Sequence, residues 1–386
     1  MGGQALEKGE WKGTTVTTFA DTEPTVSAGS LLPSATPLQL IEADGRPAEN
    51  PGSLSLPEPV ILLELYRRMV IGRRFDSQAT ALTKQGRLAV YPSSRGQDAC
   101  QVGSTLALRS HDWLFPTYRD SVAIITRGVE PTEALSLLRG DWHCGYDPYQ
   151  YHVAPQCTPL ATNTLHAVGL AHAASLKDED VVALVLLGDG ATSEGDTHEA
   201  LNFSGVWKAP VVFLVQNNGY AISVPLAKQT AASTLAAKGI GYGVPSLLID
   251  GNDAAAVYSA VSASVERAAR GRGPTLIEAI TYRIEAHTNA DDATRYRASD
   301  EVQAWLARDP ITRLETYLKA AGLLDEQAIT RRAAEAEQFA ERIRDLMNGT
   351  VDVNPGDLFD HVYAQPTAAL EQQRSALLAE MEDGAQ

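Results

Sequence analysis

The chain has 386 residues, 44% of them hydrophobic, and a formal net charge of −16. That length fits one large domain or two modest ones, and that apolar share fills a sizeable core. The acidity, with no basic stripe, argues against a nucleic-acid partner and an anionic membrane surface. No apolar run approaches the roughly 20 residues of a membrane span. Cys100, Cys144 and Cys157 are odd in number and lack paired zinc spacing, which points to a reducing cytoplasm. The opening stretch MGGQALEKGEWKGTTV lacks the apolar core of a signal peptide and is too acidic for a transit peptide. A soluble, cytoplasmic protein is expected.

In chain order, residues 1–57 are rich in Thr, Ser, Pro, Gly and acids, and predict a mobile arm that orders only against a partner. A main domain is expected over 58–350 and a tail over 351–386. Leu62, Leu65, Tyr66 and Met69 fall at helical spacing, and Gly86 offers a stop. A second helix is expected after Gly96, carrying Ala99, Val102 and Leu106, and then a loop at Tyr118-Arg119. Asn163 to Leu176 predicts a helix dense in small residues, either a central core helix or a subunit contact. Val181 to Leu187 is seven apolar residues without a break, as in a strand buried on both faces of a parallel sheet. A helix from about Asp196 to Trp207 and a strand at Val211 to Val215 follow. Strands at Ser246–Ile249 and Thr275–Ile284 enclose a helix at Ala254–Ala269. A helical region with Trp305, Leu314, Tyr317 and Leu318 runs to Gly349, and Glu371 to Gln386 reads as solvated. The fold class is α/β, a doubly wound, mainly parallel sheet with helices on both faces.

The chemistry concentrates at Gly188-Asp189-Gly190 and Asn217-Asn218. A Gly-Asp-Gly alone is usually an ordinary turn. Here it follows a buried strand, and the next helix and strand return Asn218 to the same sheet edge, where ligands of open parallel sheets bind. Mg²⁺ takes roughly six hard oxygens, commonly one or two carboxylates with phosphate oxygens and water. Asp189 can give a carboxylate, Asn218 an amide oxygen and Tyr220 a backbone carbonyl; a diphosphate and water would complete the set. The amides opening the following helix would add attraction for the anion.

Gly188 to Ser223, GDGATSEGDTHEALNFSGVWKAPVVFLVQNNGYAIS, resembles the thiamine diphosphate fingerprint of the alpha subunit of 2-oxo acid dehydrogenases. The likeness runs from about Val60 to Leu318 and includes Gln85 to Leu88, Phe115 to Asp120, Gly273 to Glu278 and His287 to Arg297. It implies the thiamine diphosphate-binding fold, with thiamine diphosphate and Mg²⁺ as cofactors. It also implies decarboxylation of a 2-oxo acid and transfer of the acyl group to a lipoyl arm of a dihydrolipoyl acyltransferase. Tyr118 and Arg119 are implied diphosphate contacts, Thr158 and Leu160 contacts of the aminopyrimidine, and Gly188, Gly190 and Ala191 cofactor neighbours of the metal ligands Asp189, Asn218 and Tyr220. His287, in the family's loop, is the implied catalytic histidine; its imidazole can hold an anionic intermediate and pass a proton. Arg283, Asp291, Asp292, Tyr296 and Arg297 are expected to order that loop. His143 takes the place of a second active-site histidine in bacterial relatives, with packing as the equal alternative.

The likeness further implies a beta subunit that supplies the glutamate activating the cofactor, in an alpha-two beta-two heterotetramer. Cys157 replaces the serine of mammalian branched-chain members, whose loop holds K⁺; Thr162 and Asn163 could still give oxygens. Gln216 replaces an arginine, removing a positive charge, and Thr288 replaces a phosphorylated serine. Asn217 to Ser223 resembles branched-chain members closely, which favours branched-chain 2-oxo acids over pyruvate. A nicotinamide-dependent enzyme would place its third glycine earlier than GDGATSEG does. A non-catalytic scaffold would be expected to lack the metal ligands or His287.

Overall fold

The structure, a computed structural model, describes residues 31–49, 51–349, 354–360 and 362–384. Helices α1 (Pro59–Lys84) and α2 (Asp98–Leu106) lead to strand β1 (Trp113–Phe115), then α3 (Ser121–Arg127), α4 (Pro131–Arg139), α5 (Pro148–Tyr151) and α6 (Thr162–Leu176). Next come β2 (Ala183–Gly188), α7 (Gly195–Trp207), β3 (Val211–Asn217), and a small hairpin of β4 (Tyr220–Ala221) and β5 (Val224–Pro225). The chain continues through β6 (Ser246–Asp250), α8 (Ala254–Ala269) and β7 (Thr275–Ile280). It ends in α9 (Ser299–Leu306), α10 (Pro310–Ala320), α11 (Glu326–Met347), α12 (Asp357–Asp360) and α13 (Ala368–Gly384).

Five strands form one parallel sheet in the order β1-β2-β3-β7-β6. Successive residues of a strand face opposite sides. Leu184, Leu186, Val212 and Leu214 therefore join the core under α1, α2 and α8, while Val185, Leu187, Val211 and Phe213 join the one under α6 and α7. Helices cover both faces, as expected. Parallel strands put all their carboxyl ends on one edge, and β2, β3 and β7 deliver Asp189, Asn218 and the segment leading to His287 there.

Helix α1 starts at Pro59, where a missing N–H costs nothing, and buries Leu62, Leu65, Tyr66, Met69, Phe75 and Leu82. It stops at Gln85, after which Gly86 takes φ +70°. The last strand is shorter than the sequence predicts. It ends at Ile280 rather than Ile284 because the ladders to both neighbours end there too, at Asn217 and Asp250, and beyond them only scattered bonds such as Arg283 N–H to Asn218 O continue. The sequence reading also passed over β1, whose three residues are too few for a pattern.

The arm expectation divides. Residues 1–30 lie outside the described residues. Beyond them the segment packs on its own chain: Leu40 and Ile41 are buried and donate their N–H groups to Asp253 Oδ2 at 2.6 and 2.8 Å. Leu38 bridges Ile249 of β6. Burying Asp253 requires such donors, and Arg313 also lies against it at 3.7 Å. At the other end, α13 is mostly exposed, in keeping with a solvated final segment.

Candidate cofactor site

A cavity of about 420 Å³ opens at the carboxyl edge of the sheet. Tyr118, Arg119, Thr158, Leu160, Gly188, Asp189, Gly190, Ala191, Asn218, Tyr220 and His287 all line it. His143 does not. It is exposed in the loop between α4 and α5, with its ring 4.6 Å from that of Trp142.

At one end stands Asp189, 1% exposed. Burial raises its carboxyl pKa, against a hydrogen bond from Gln229 and the nearby Asn218 N–H. Gln229 Nε2 donates to Oδ2 at 2.6 Å, while Gln229 Oε1 is buried without a partner. The side chain of Asn218 donates through Nδ2 to Gln97 Oε1 at 3.0 Å, and among the described residues its Oδ1 accepts only the Tyr220 N–H at 3.2 Å. The Tyr220 phenol is committed to Glu301 at 2.9 Å. Its cross-strand partner is Pro225, which has no N–H to give the Tyr220 carbonyl. One buried carboxylate, one amide oxygen and one open carbonyl are hard donors of the kind Mg²⁺ takes, with room for ligand oxygens. Among the described residues no group of three or more His, Cys, Asp or Glu forms a self-sufficient metal cage.

The paired asparagines do different work. Asn217 Nδ2 donates to Glu278 Oε1 of β7 at 2.7 Å, and Glu278 Oε2 accepts the Ala236 N–H at 2.8 Å. That pair ties the end of β3 to β7 and to the segment at Ala236, leaving Asn218 for the cavity. The glycines before and after Asp189 do not adopt positive φ. Gly190 is needed for closeness: a Cβ there would meet Ala221 Cβ at 2.7 Å. A 3₁₀ turn, Gly190–Ser193, separates Asp189 from α7, so this turn rather than the helix presents its backbone at the cavity.

Two guanidinium groups face the cavity. Arg119, 5% exposed, donates to Ser93 O at 3.1 Å and His287 O at 3.1 Å. Arg283, 1% exposed, donates to Ile222 O and the Tyr296 hydroxyl, both at 2.7 Å, and its Nε is buried without a partner. A buried, unpartnered donor beside a second cation suits a multivalent anion such as a diphosphate.

His287 Nδ1 lies 3.0 Å from Arg119 Nη2 and 3.5 Å from Arg283 Nη1. A guanidinium only donates, so Nδ1 is the acceptor and the neutral ring carries its proton on Nε2. Burial, then Arg119 and Arg283, push its pKa down to about 4. The expected loop residues hold it. Asp291 accepts the His287 N–H at 2.7 Å and also the Tyr296 hydroxyl, Arg297 donates to the Arg283 and Ile284 carbonyls, and Asp292 caps the turn at Ala293.

Several lining residues escaped the sequence reading: Gln97, Val90, Pro92, Leu138 and Ile222, with Gln229 beside Asp189. Arg283, expected to support the loop, also lines the cavity. Ile222 has φ +55°, rare for a β-branched residue, and Arg283 grips its carbonyl. Its position after the Asn-Asn-Gly turn was the available signal. Gln229 offered none. In the loop at Cys157, the thiol points to the Pro159 carbonyl at 3.3 Å, and Asn163 Nδ2 donates to Leu186 O at 2.8 Å.

The family model for the dehydrogenase E1 component matches residues 66–348. The chain belongs to that family. This E1 chain is 46% identical over 346 residues to the 3-methyl-2-oxobutanoate dehydrogenase subunit alpha of Mycobacterium tuberculosis, covering 89% of this chain and 94% of that protein. It is 43% identical over 266 residues to the pyruvate dehydrogenase E1 component subunit alpha of Staphylococcus epidermidis, covering 69% and 72%. The Staphylococcus aureus counterpart matches to the same extent. The matched span of the E1 family model contains every residue that lines the cavity.

Proposed function

We propose that this chain is the alpha subunit of a thiamine diphosphate-dependent dehydrogenase that decarboxylates a branched-chain 2-oxo acid and reductively acylates the lipoyl group of a dihydrolipoyl acyltransferase. One observation carries the reading: Asp189 and Asn218 share a cavity with two buried guanidinium groups, an arrangement suited to a metal-bound diphosphate. Asp189, Asn218 and the Tyr220 carbonyl hold Mg²⁺. Arg119 and Arg283 take the diphosphate, and Thr158 and Leu160 flank the aminopyrimidine. The thiazolium of thiamine diphosphate supplies the electron sink for decarboxylation. His287 donates from Nε2 toward charge developing on the substrate oxygen and transfers a proton during acyl transfer.

The coverage and identity of the mycobacterial relative support 3-methyl-2-oxobutanoate and its kin over pyruvate, which stands second. The activating glutamate comes from a beta subunit in an alpha-two beta-two assembly. Leu176, Val206, Phe203 and Trp207 on α6 and α7 are exposed apolar residues that suit burial in such an assembly. Among the described residues no helix is long and apolar enough to cross a membrane. The free Cys100, Cys144 and Cys157 suit the cytoplasm as its location.

The test is a co-expressed alpha–beta pair. Thiamine diphosphate with Mg²⁺ should bind it, and with an acyltransferase lipoyl domain 3-methyl-2-oxobutanoate should turn over faster than pyruvate. Full decarboxylation by the purified alpha chain alone would defeat the shared-site reading, and a preference for pyruvate would defeat the substrate assignment.

A further inference from the structure

Four buried side chains form a line from the start of α3 to the metal end of the cavity. Asp120 Oδ1 accepts from Gln216 Nε2 at 2.7 Å, Gln216 Oε1 accepts from Gln97 Nε2 at 3.0 Å, and Gln97 Oε1 accepts from Asn218 Nδ2 at 3.0 Å. Asp120, Gln216, Gln97 and Asn218 are all buried. We propose that Gln97 and Gln216 are positioning residues in a one-way hydrogen-bond relay, anchored at Asp120, that turns the side-chain oxygen of Asn218 toward the cation. This rests on the proposed role of Asn218 as a Mg²⁺ ligand.

The direction follows from hydrogen-bond inventory. A carboxamide has a donor end and an acceptor end, and either rotation fits the same space. An ionised carboxylate has acceptors only. Asp120 Oδ2 takes both the N–H and the hydroxyl of Thr117, each at 2.7 Å, which leaves Oδ1 for Gln216. Gln216 must then present its NH₂ to Asp120 and its oxygen to Gln97. Gln97 in turn presents NH₂ to Gln216 and oxygen to Asn218. Asn218 can satisfy Gln97 only with its NH₂, so its oxygen is the free end. That oxygen accepts one bond, from the Tyr220 N–H at 3.2 Å, and keeps a lone pair. Turning any single amide would set two acceptors or two donors face to face in a buried site. A lost charge is what Gln216 suggests in the sequence; in the fold it is a link in this chain.

Asp120→Asn tests direction without changing shape. The new amide at position 120 satisfies both Thr117 donors with its oxygen and so offers NH₂ to Gln216. Each amide downstream then rotates, and Asn218 turns its NH₂ to the cation, with only the bond from the Tyr220 N–H lost. Asn218→Asp inverts the outcome, because a carboxylate offers oxygen at both ends and prefers Gln97 as a donor. The measurement is the dissociation constant of Mn²⁺, substituted for Mg²⁺, in the co-expressed alpha–beta complex with thiamine diphosphate, read from the spin resonance of free Mn²⁺. Melting temperature is followed in parallel.

Asp120→Asn is expected to weaken Mn²⁺ about 10- to 100-fold, the range for partners of metal ligands. In the Asn218→Asp background the same substitution should leave Mn²⁺ affinity unchanged or improve it. Gln97→Met, which cuts the line, should weaken Mn²⁺ by about tenfold with Asn218 in place. Equal weakening by Asp120→Asn in both backgrounds overturns the relay, as does wild-type affinity in both Asp120→Asn and Gln97→Met. Failure of the wild-type complex to bind Mn²⁺ with thiamine diphosphate instead overturns the functional reading itself.

Discussion

The two ends of the cavity are built by different means. Asp189 and Asn218 follow directly on β2 and β3, whose register pairs Gly188 with Gln216, so a hydrogen-bonded ladder sets the spacing of their backbones. His287 has no such support. It follows β7 after an irregular stretch, and its place depends on Arg119, Arg283, Asp291 and Tyr296. Substitution at the metal end should therefore remove a ligand from an intact frame. At the histidine end it should disturb the frame as well. Backbone-built and side-chain-built halves fail differently.

The largest effect is expected from Asp189→Ala. It removes the only acidic donor proposed for the cation, worth several kcal/mol, so turnover of the reconstituted complex should fall on the order of 10³-fold. Mg²⁺-dependent cofactor binding should fall with it, while the melting temperature stays near or above that of the wild type because an unfavourably buried carboxylate is gone. Calorimetric titration of thiamine diphosphate with and without Mg²⁺ checks this; unaltered Mg²⁺ dependence would remove Asp189 from the site. His287→Asn comes next. Loss of a positioned acid–base group costs about 10²–10⁴-fold, here in acyl transfer to the lipoyl domain, with cofactor affinity changed far less. Comparing lipoyl acylation with decarboxylation coupled to an artificial acceptor separates the steps.

This division also sets how much of the site is legible in the sequence. Unbroken apolar runs at Val181–Leu187 and Val211–Val215 announce strands buried on both faces, so the metal end was legible from Asp189 and Asn218. Gln97, distant in sequence, reaches Asn218 only through packing of the α2 start against the sheet edge, and no local pattern signals that. Gln229 likewise meets Asp189 because the hairpin of β4 and β5 folds back. The histidine loop was legible through resemblance, yet Arg283 was assigned only half its role: a strand expected to reach Ile284 hides the fact that its last residues leave the sheet and enter the cavity. His143, placed by resemblance alone, is exposed and outside it.

A smaller effect should follow Tyr296→Phe. The hydroxyl both accepts from Arg283 and donates to Asp291, the carboxylate that receives the His287 N–H. Bonds to charged groups are worth about 1.5–3 kcal/mol each when buried, but this loop is half exposed, so global stability should change little. The loop itself should loosen. We expect limited proteolysis between Ala286 and Arg297 to speed up several-fold and turnover to fall about tenfold for a slightly misplaced catalytic group. The metal end, held by the sheet, should bind Mg²⁺ as before, and a loss of Mg²⁺ affinity equal to the loss of turnover would break the two-part picture.

The smallest effect is a pH dependence of the free alpha chain. His287 titrates near 4 in the folded chain, below the roughly 6.5 of an unfolded histidine. Between these values the unfolded chain binds the extra proton, so this residue makes stability rise with pH. Its contribution is fully present above pH 6.5 and is lost as pH falls toward 4. Wild type should thus lose stability relative to His287→Asn across that window in urea unfolding, by a small amount because the ring is only partly buried. A diphosphate between Arg119 and Arg283 offsets both cations, so thiamine diphosphate with Mg²⁺ should move the His287 titration upward, visible in the ¹⁵N shifts of the imidazole. The same spectra report the tautomer: a proton on Nδ1 in the free chain would contradict the donor-only guanidinium contacts from which the Nε2–H form was deduced.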